Sequence, residues 1–153
     1  MLLICTFRYQ LLGREEQRCV AHFLCNLASQ PRGRNWCLYF SNWTVGSDNT
    51  GDIDTCNAEV CSNVAVRAMR SNKQAETQKY GIGLAYNLSL RKANVHSEGV
   101  KDTIIGAHQS LVLSLVEAIT ALSEEKDQQL THEQKSLCSE AKRNLDQISS
   151  LTN

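Results

Sequence analysis

Eight cationic side chains recur through the first two-thirds of the sequence: Arg32, Arg34, Arg67, Arg70, Lys73, Lys79, Arg91 and Lys92. Guanidinium forks grip carboxylates through two parallel N–H···O bonds, and lysines add point charges to the same task. A row of such groups along one groove is the chemistry of an acidic-peptide site. The bland reading is that they are solvated charges favouring helix C-termini, where a cation meets the helix dipole. Three asparagines, Asn26, Asn72 and Asn87, stand in otherwise apolar surroundings. Asn26 and Asn87 can hold a bound peptide's backbone or satisfy a carbonyl in the core. Asn72 reads best as a helix cap.

Catalytic and metal chemistry have little to work with. His22, His96, His108 and His132 are scattered, with no two of them four apart on one helix face. His22 beside Cys19 or Cys25 is the nearest approach to a cysteine–histidine dyad, and helix packing accounts for that spacing equally well. The seven cysteines show only the weak Cys56–Cys61 spacing as a zinc half-site. Most of them lie among apolar residues, where a reduced thiol behaves as a small hydrophobe. No GxGxxG, Walker or GxSxG motif occurs. Accordingly no catalytic residue, cofactor site or metal site is assigned. Trp36, Tyr39, Phe40 and Trp43 form an aromatic cluster without a consistently basic surround, which favours core over nucleic-acid stacking. Asn42-Trp43-Thr44 and Asn87-Leu88-Ser89 match the glycosylation sequon, which matters only in a secreted chain.

The elements that must carry these residues are helical nearly everywhere. Cys19, Val20, Phe23, Leu24, Leu27 and Ala28 recur at the spacing of one helix face, and Pro31 with Gly33 ends that helix. A short aromatic segment follows at 35–43, then a turn-rich loop at 46–52. Cys61, Val64, Ala65, Ala68 and Met69 mark the next face. A long helix over about 73–90 follows, with Gly81 and Gly83 allowing close approach of a neighbour. Beyond the loop at 91–99, the longest helix spans about 102–123 through Leu111, Leu115, Val116, Ile119 and Leu122. Thr131 and Gln134 fit a capping box for a last helix carrying Leu137, Ala141, Leu145 and Ile148. No strand alternation is present. The expected fold is all-α, an armadillo-like helical-repeat array (an α-solenoid), short or incomplete.

Length and composition agree. The chain has 153 residues, 42% of them hydrophobic, with a single proline, which suits one helical region over 1–153 rather than a turn-rich sandwich. Its net charge of zero offers no general pull toward nucleic acid or a membrane. Residues 1–98 nonetheless carry 11 basic and 8 acidic side chains, and residues 99–153 carry 5 and 8, a basic part followed by an acidic one. The opening MLLICTFRYQLL is too short for a membrane span and lacks the pattern of a signal peptide. It reads as a helix begun upstream, so the chain is expected to be truncated at its N-terminus. Most of the seven cysteines lie among apolar neighbours, so they are expected to be buried structural thiols of a reducing compartment and the protein cytoplasmic, with a disulfide framework or metal site as the alternative.

Two stretches carry a resemblance. FLCNLASQPRGRNWCLYF (23–40) resembles the helix–turn–helix of PUL domains, an apolar helix with a cysteine–asparagine pair meeting a glycine-basic turn. AVRAMRSNKQAETQKYGIGLAYNLSL (65–90) resembles the next unit of that family, its key positions being Ser71, Asn72, Lys73, Leu84, Tyr86 and Asn87. HQSLVLSLVEAITAL (108–122) is similar to the helix after it. The family is the C-terminal domain of phospholipase-A2-activating protein and its yeast ubiquitin-pathway counterpart. The resemblance implies an armadillo-like array that binds the acidic C-terminal tail of the valosin-containing AAA ATPase, the ubiquitin-selective segregase, in cytoplasm or nucleus. It implies a non-enzymatic adaptor without cofactor, nucleic-acid or membrane partner. The residues expected to contact the tail are Arg34, Arg67, Arg70, Lys73, Lys79, Asn26 and Asn87. Two alternatives stand beside it: a purely structural helical-repeat fragment of a larger protein, and a cysteine-dependent hydrolase or redox protein.

Overall fold

The structure is a computed structural model and describes residues 9–39, 57–90 and 109–150. Those residues form a 3-10 turn, Tyr9–Leu11, and six helices. The helices are α1 (Arg14–Ser29), α2 (Pro31–Tyr39), α3 (Asn57–Met69), α4 (Ala75–Ser89), α5 (Gln109–Glu124) and α6 (His132–Ser150). There is no strand among the described residues. The all-α expectation therefore holds, with helices packed on one another around a shared core. The segments 46–52 and 91–99, and with them Arg91 and Lys92, lie outside the described residues.

α4 occupies the middle of this core. It packs on α1, α3 and α6, and buries residues on several sides: Thr77, Gln78, Gly81, Ile82, Leu84, Ala85, Asn87, Leu88 and Ser89. Its solvent-facing stripe is narrow, running through Glu76, Lys79, Gly83 and Tyr86, and its neighbours close over the rest. Gly81 makes one of those closures possible. A side-chain carbon there would stand 2.7 Å from both Ala68 Cβ and the Met69 backbone nitrogen, so only hydrogen fits at the α3–α4 crossing.

The outer helices are amphipathic. α1 buries Val20, Ala21, Leu24 and Ala28 and carries Glu15 and Glu16 in its first turn, where carboxylates suit the positive end of the helix dipole. α6 buries Cys138, Ala141, Leu145 and Ile148, a stripe at intervals of three and four. Leu137, expected on that stripe, is half-buried at its margin. The capping box is present as expected: the Thr131 N–H donates to Gln134 Oε1 at 2.9 Å, and the Gln134 N–H donates to Thr131 Oγ1 at 3.1 Å.

Two local expectations are corrected. The first helix ends at Ser29 ahead of Pro31, as expected, but no loop follows: Gln30 alone separates α1 from α2, and Pro31 opens α2 with Gly33 inside it. Proline suits a first helical position because its missing N–H has no partner there in any helix. Gly33 is buried against the Leu27 carbonyl, which any side chain would strike. Asn72 is likewise not the cap of α4, a position held by Gln74 without a side-chain capping bond to the backbone. Instead Asn72 Nδ2 donates to Glu125 Oε1 at 3.3 Å and Asn72 Oδ1 accepts from Gln128 Nε2 at 2.8 Å. Gln78 Nε2 donates to Gln128 Oε1 at 2.9 Å and to the Met69 carbonyl at 3.0 Å. These amides tie the α3–α4 turn to the α5–α6 connection.

Candidate functional site

The polar flank of α3 sets the geometry of the site. Asn63, Arg67 and Arg70 recur at i, i+4 and i+7, which places them on one exposed edge of a helix otherwise buried. Facing that edge are Tyr9 and Gln10 of the 3-10 turn, Gln17 of α1, and Ser114 and Glu117 one turn apart on α5. Gln17 Nε2 donates to the Tyr9 carbonyl at 3.1 Å and pins the turn to α1. With Val66 and Ser71, these residues enclose a polar cleft of about 470 Å³. That is the size range of small-ligand pockets.

Three features make the cleft chemically unusual for this fold. Neither Arg67 nor Arg70 is in an ion pair among the described residues, where the ion pairs are those of Arg18 with Glu15 and Glu76. Glu117 faces the same space, also without an ion pair among the described residues. Tyr9, which also lines the cleft, is only 4% exposed, and its hydroxyl is buried without a hydrogen-bond partner among the described residues. Burial pushes the Tyr9 phenol up to about 12, so it stays a neutral donor through the physiological range. Buried polar groups are nearly always partnered; Asn57 Oδ1 and Ser62 Oγ of α3 share this state with the Tyr9 hydroxyl.

The seven residues expected to contact a peptide do not share one surface. Arg67 and Arg70 line the cleft. Lys73 is exposed in the turn that follows α3. Arg34 is turned onto the end of α1, where Nε donates to the Ala28 carbonyl at 3.2 Å and a terminal nitrogen to the Ser29 carbonyl at 3.4 Å. It satisfies carbonyls that a helix C-terminus leaves open. Asn87 is buried, and its Nδ2 donates to the Cys25 carbonyl at 3.0 Å, joining α4 to α1. That bond also removes Asn87 from the solvent that glycosylation of its sequon needs; the second sequon, at Asn42, lies outside the described residues. Asn26 is exposed on α1, and Lys79 is exposed on α4 near the Cys25 thiol.

Tyr9, Gln17, Asn63, Ser114 and Glu117 escaped the sequence reading. Asn63 carried a usable signal, since it continues the Arg67–Arg70 edge by one turn. The others come from elements too far apart in sequence for any spacing rule to join them.

The cysteine chemistry weighed at the outset finds a different geometry. His22 stacks on Tyr80, with ring centroids 4.3 Å apart and planes 17° from parallel. Burial raises the Cys25 thiol, with Lys79 acting in the opposite direction, whereas a nucleophile needs a lowered one. A hydrogen bond with Cys61 lowers Cys37, against the effect of burial, and both residues are buried where α2 meets α3. Cys138 is pushed up to about 11 by burial. None of the described cysteines is in a disulfide. Among the described residues no group of three or more His, Cys, Asp or Glu side chains could hold a metal ion. No described helix is long and apolar enough to cross a membrane.

The fold and the cleft together define an all-helical unit with a cation-edged polar cleft formed by the 3-10 turn, α1, α3 and α5. Compared with known proteins, the chain matches no family model, and no curated protein or solved structure matches it significantly.

Proposed function

We propose that the chain is a non-enzymatic adaptor domain that receives an acidic peptide tail in the Arg67–Arg70 cleft. By its resemblance to PUL domains, the tail is the C-terminal segment of the valosin-containing AAA ATPase, and the work is ubiquitin-dependent protein turnover in cytoplasm or nucleus. On this reading the described helices belong to an armadillo-like array, and the cleft lies on its binding face.

One observation carries the proposal: Arg67 and Arg70 stand one turn apart on the same edge, open to the cleft and without ion pairs among the described residues. Surface arginines held in salt bridges are already neutralised, as Arg18 is by Glu15 at 2.7 Å and Glu76 at 3.3 Å. Two that stay uncommitted beside a cavity keep their forks available for carboxylates. Lys73, exposed beyond the end of α3, extends the positive edge for acidic residues lying outside the cleft.

The test is a titration of a fluorescein-labelled peptide of the tail into the folded protein at low salt. Saturable binding that weakens as salt rises supports the reading, because exposed charge pairs are screened over roughly 10 Å at 0.1 M. Absence of saturable binding by a protein shown to be folded removes it.

A further inference from the structure

We propose that Cys37 and Cys61 form a reversible dithiol–disulfide pair, oxidised by a small hydroperoxide to a cross-link that fastens α2 to α3. The proposal stands apart from the cleft and from the acidic-tail reading.

Position comes first. Cys37 lies in the last turn of α2 and Cys61 in the second turn of α3. The two helices are pinned here by a hydrogen bond from Asn57 Nδ2 to the Trp36 carbonyl, 3.1 Å long. Trp36 is the residue before Cys37. Cys61 follows Asn57 by four positions, so it falls on the same face of α3 one turn along. That arrangement brings the two side chains together, and the thiols share a hydrogen bond. Cys37 is 0% exposed and Cys61 2%. The other described cysteines lie elsewhere: Cys19 is exposed on α1, Cys25 packs against Gly83 and Asn87 of α4, and Cys138 is buried on α6.

Contact between two reduced thiols has a consequence that a single cysteine lacks. A lone thiol oxidised to sulfenic acid waits for a second thiol or goes on to sulfinic acid. Here the second thiol is already the hydrogen-bond partner of the first. Cys37 is the attacking sulfur, because its bond with Cys61 favours the thiolate. The Cys37 sulfur attacks one peroxide oxygen: an S–O bond forms, the O–O bond breaks, and the leaving hydroxide takes up the thiol's proton as water. The Cys61 sulfur then attacks the Cys37 sulfur: an S–S bond forms, the S–O bond breaks, and the departing hydroxide leaves as water with the Cys61 proton. The two thiols give up two electrons, and the peroxide oxygens receive them. Burial selects the oxidant. Hydrogen peroxide is little larger than water and needs the least opening of the packing, whereas oxidised glutathione needs room for its bulk.

The test exposes the folded full chain to hydrogen peroxide, blocks the remaining thiols with iodoacetamide in denaturant, and maps cross-linked peptides by mass spectrometry. A Cys37–Cys61 link is expected to exceed any other intramolecular link about tenfold, the advantage of reacting groups already in contact. Dithiothreitol is expected to reverse it. The same peroxide in denaturing urea is expected to scatter links among the seven cysteines, because the contact belongs to the fold. Cys61→Ala removes the thiol that condenses the sulfenic acid, so dimedone labelling of Cys37 is expected to rise about threefold or more over the parent. The mapping on the parent chain decides independently of whether that variant folds. Oxidation that leaves Cys37 and Cys61 as thiols, links them to other cysteines, or carries Cys37 to sulfinic acid overturns the proposal. So does a Cys37–Cys61 link equally dominant in urea, or equal dimedone labelling of Cys37 in parent and variant. An equal rate with oxidised glutathione overturns the choice of oxidant.

Discussion

The surroundings of α4 and the cleft beside α3 treat their polar groups in opposite ways. Around α4, Asn87 is bonded to the Cys25 carbonyl, Gln78 to the Met69 carbonyl and to Gln128, and Ser89 Oγ donates to the Tyr86 carbonyl and accepts from Asn144 Nδ2. In the cleft, Arg67, Arg70 and Glu117 line about 470 Å³ without ion pairs among the described residues. Residue type does not by itself separate the two regions, since both use amides and hydroxyls. Partnering does. A polar group that closes a backbone valence inside the fold contributes to stability, and one left open at a cavity is available to a ligand. Arg34 and Arg67 make the contrast within one residue type, the first capping α1 and the second lining the cleft.

If that division is right, substitutions around α4 unfold the protein and substitutions in the cleft do not. The largest effect is expected at Gly81, where a valine would meet the Met69 backbone nitrogen and Ala68, neither of which can rotate away. Gly81→Val should cost about 3 kcal/mol or more of stability, measured by urea unfolding. Asn87→Ala comes next. It leaves the Cys25 carbonyl without its donor at the buried α1–α4 contact, for a loss of about 2 kcal/mol by the same measurement. An Asn87→Ala protein of unchanged stability but lowered peptide affinity would place Asn87 in the binding region and break the comparison.

Arg34→Ala sharpens it at a smaller scale. Its two bonds reach the Ala28 and Ser29 carbonyls at the end of α1, so a loss of about 1 kcal/mol is expected, with peptide affinity unchanged. Tyr9 tests the cleft from the side of pH. Its phenol moves from 10.0 to about 12 because burial disfavours the charged form. The unfolded chain therefore ionises first: Tyr9's contribution is intact below pH 10 and stability falls as pH rises toward 12. Tyr9→Phe should make the unfolding midpoint less sensitive to pH in that window, read by urea titrations at neutral and alkaline pH. Equal alkaline sensitivity in both proteins would show that the buried phenol is not the group responsible.

Helix positions were legible in the sequence because apolar spacing and capping chemistry are local. Val20, Leu24 and Ala28 announce α1, Thr131 and Gln134 announce the start of α6, and Gly81 announces a close crossing. The roles of the cations were not legible, because they depend on which carbonyl or cavity lies opposite. Arg34 is three residues past Pro31 and looks like a free charge beside a turn; only the one-residue break at Gln30 brings α1's last carbonyls within its reach. Asn87 was balanced between groove and core in the sequence, and its bond to Cys25, 62 residues away, decides for the core. Tyr9 belonged to an apolar opening segment that offered no sign of a site. Its place beside Arg67 and Glu117 is a product of helix packing alone.

The most direct measurement is a paired one on the Arg67→Gln, Arg70→Gln double variant, comparing its urea unfolding curve and its titration by the labelled acidic tail with those of the parent chain. Glutamine keeps helix propensity and the first part of the aliphatic stem while removing the guanidinium, so stability should stay within about 1 kcal/mol of the parent. The predicted result is saturable binding by the parent and none by the variant over the same concentration range. Equal affinity of the two proteins would contradict the assignment of the cleft, and collapse of the variant's fold would contradict the claim that these arginines are free of structural duty.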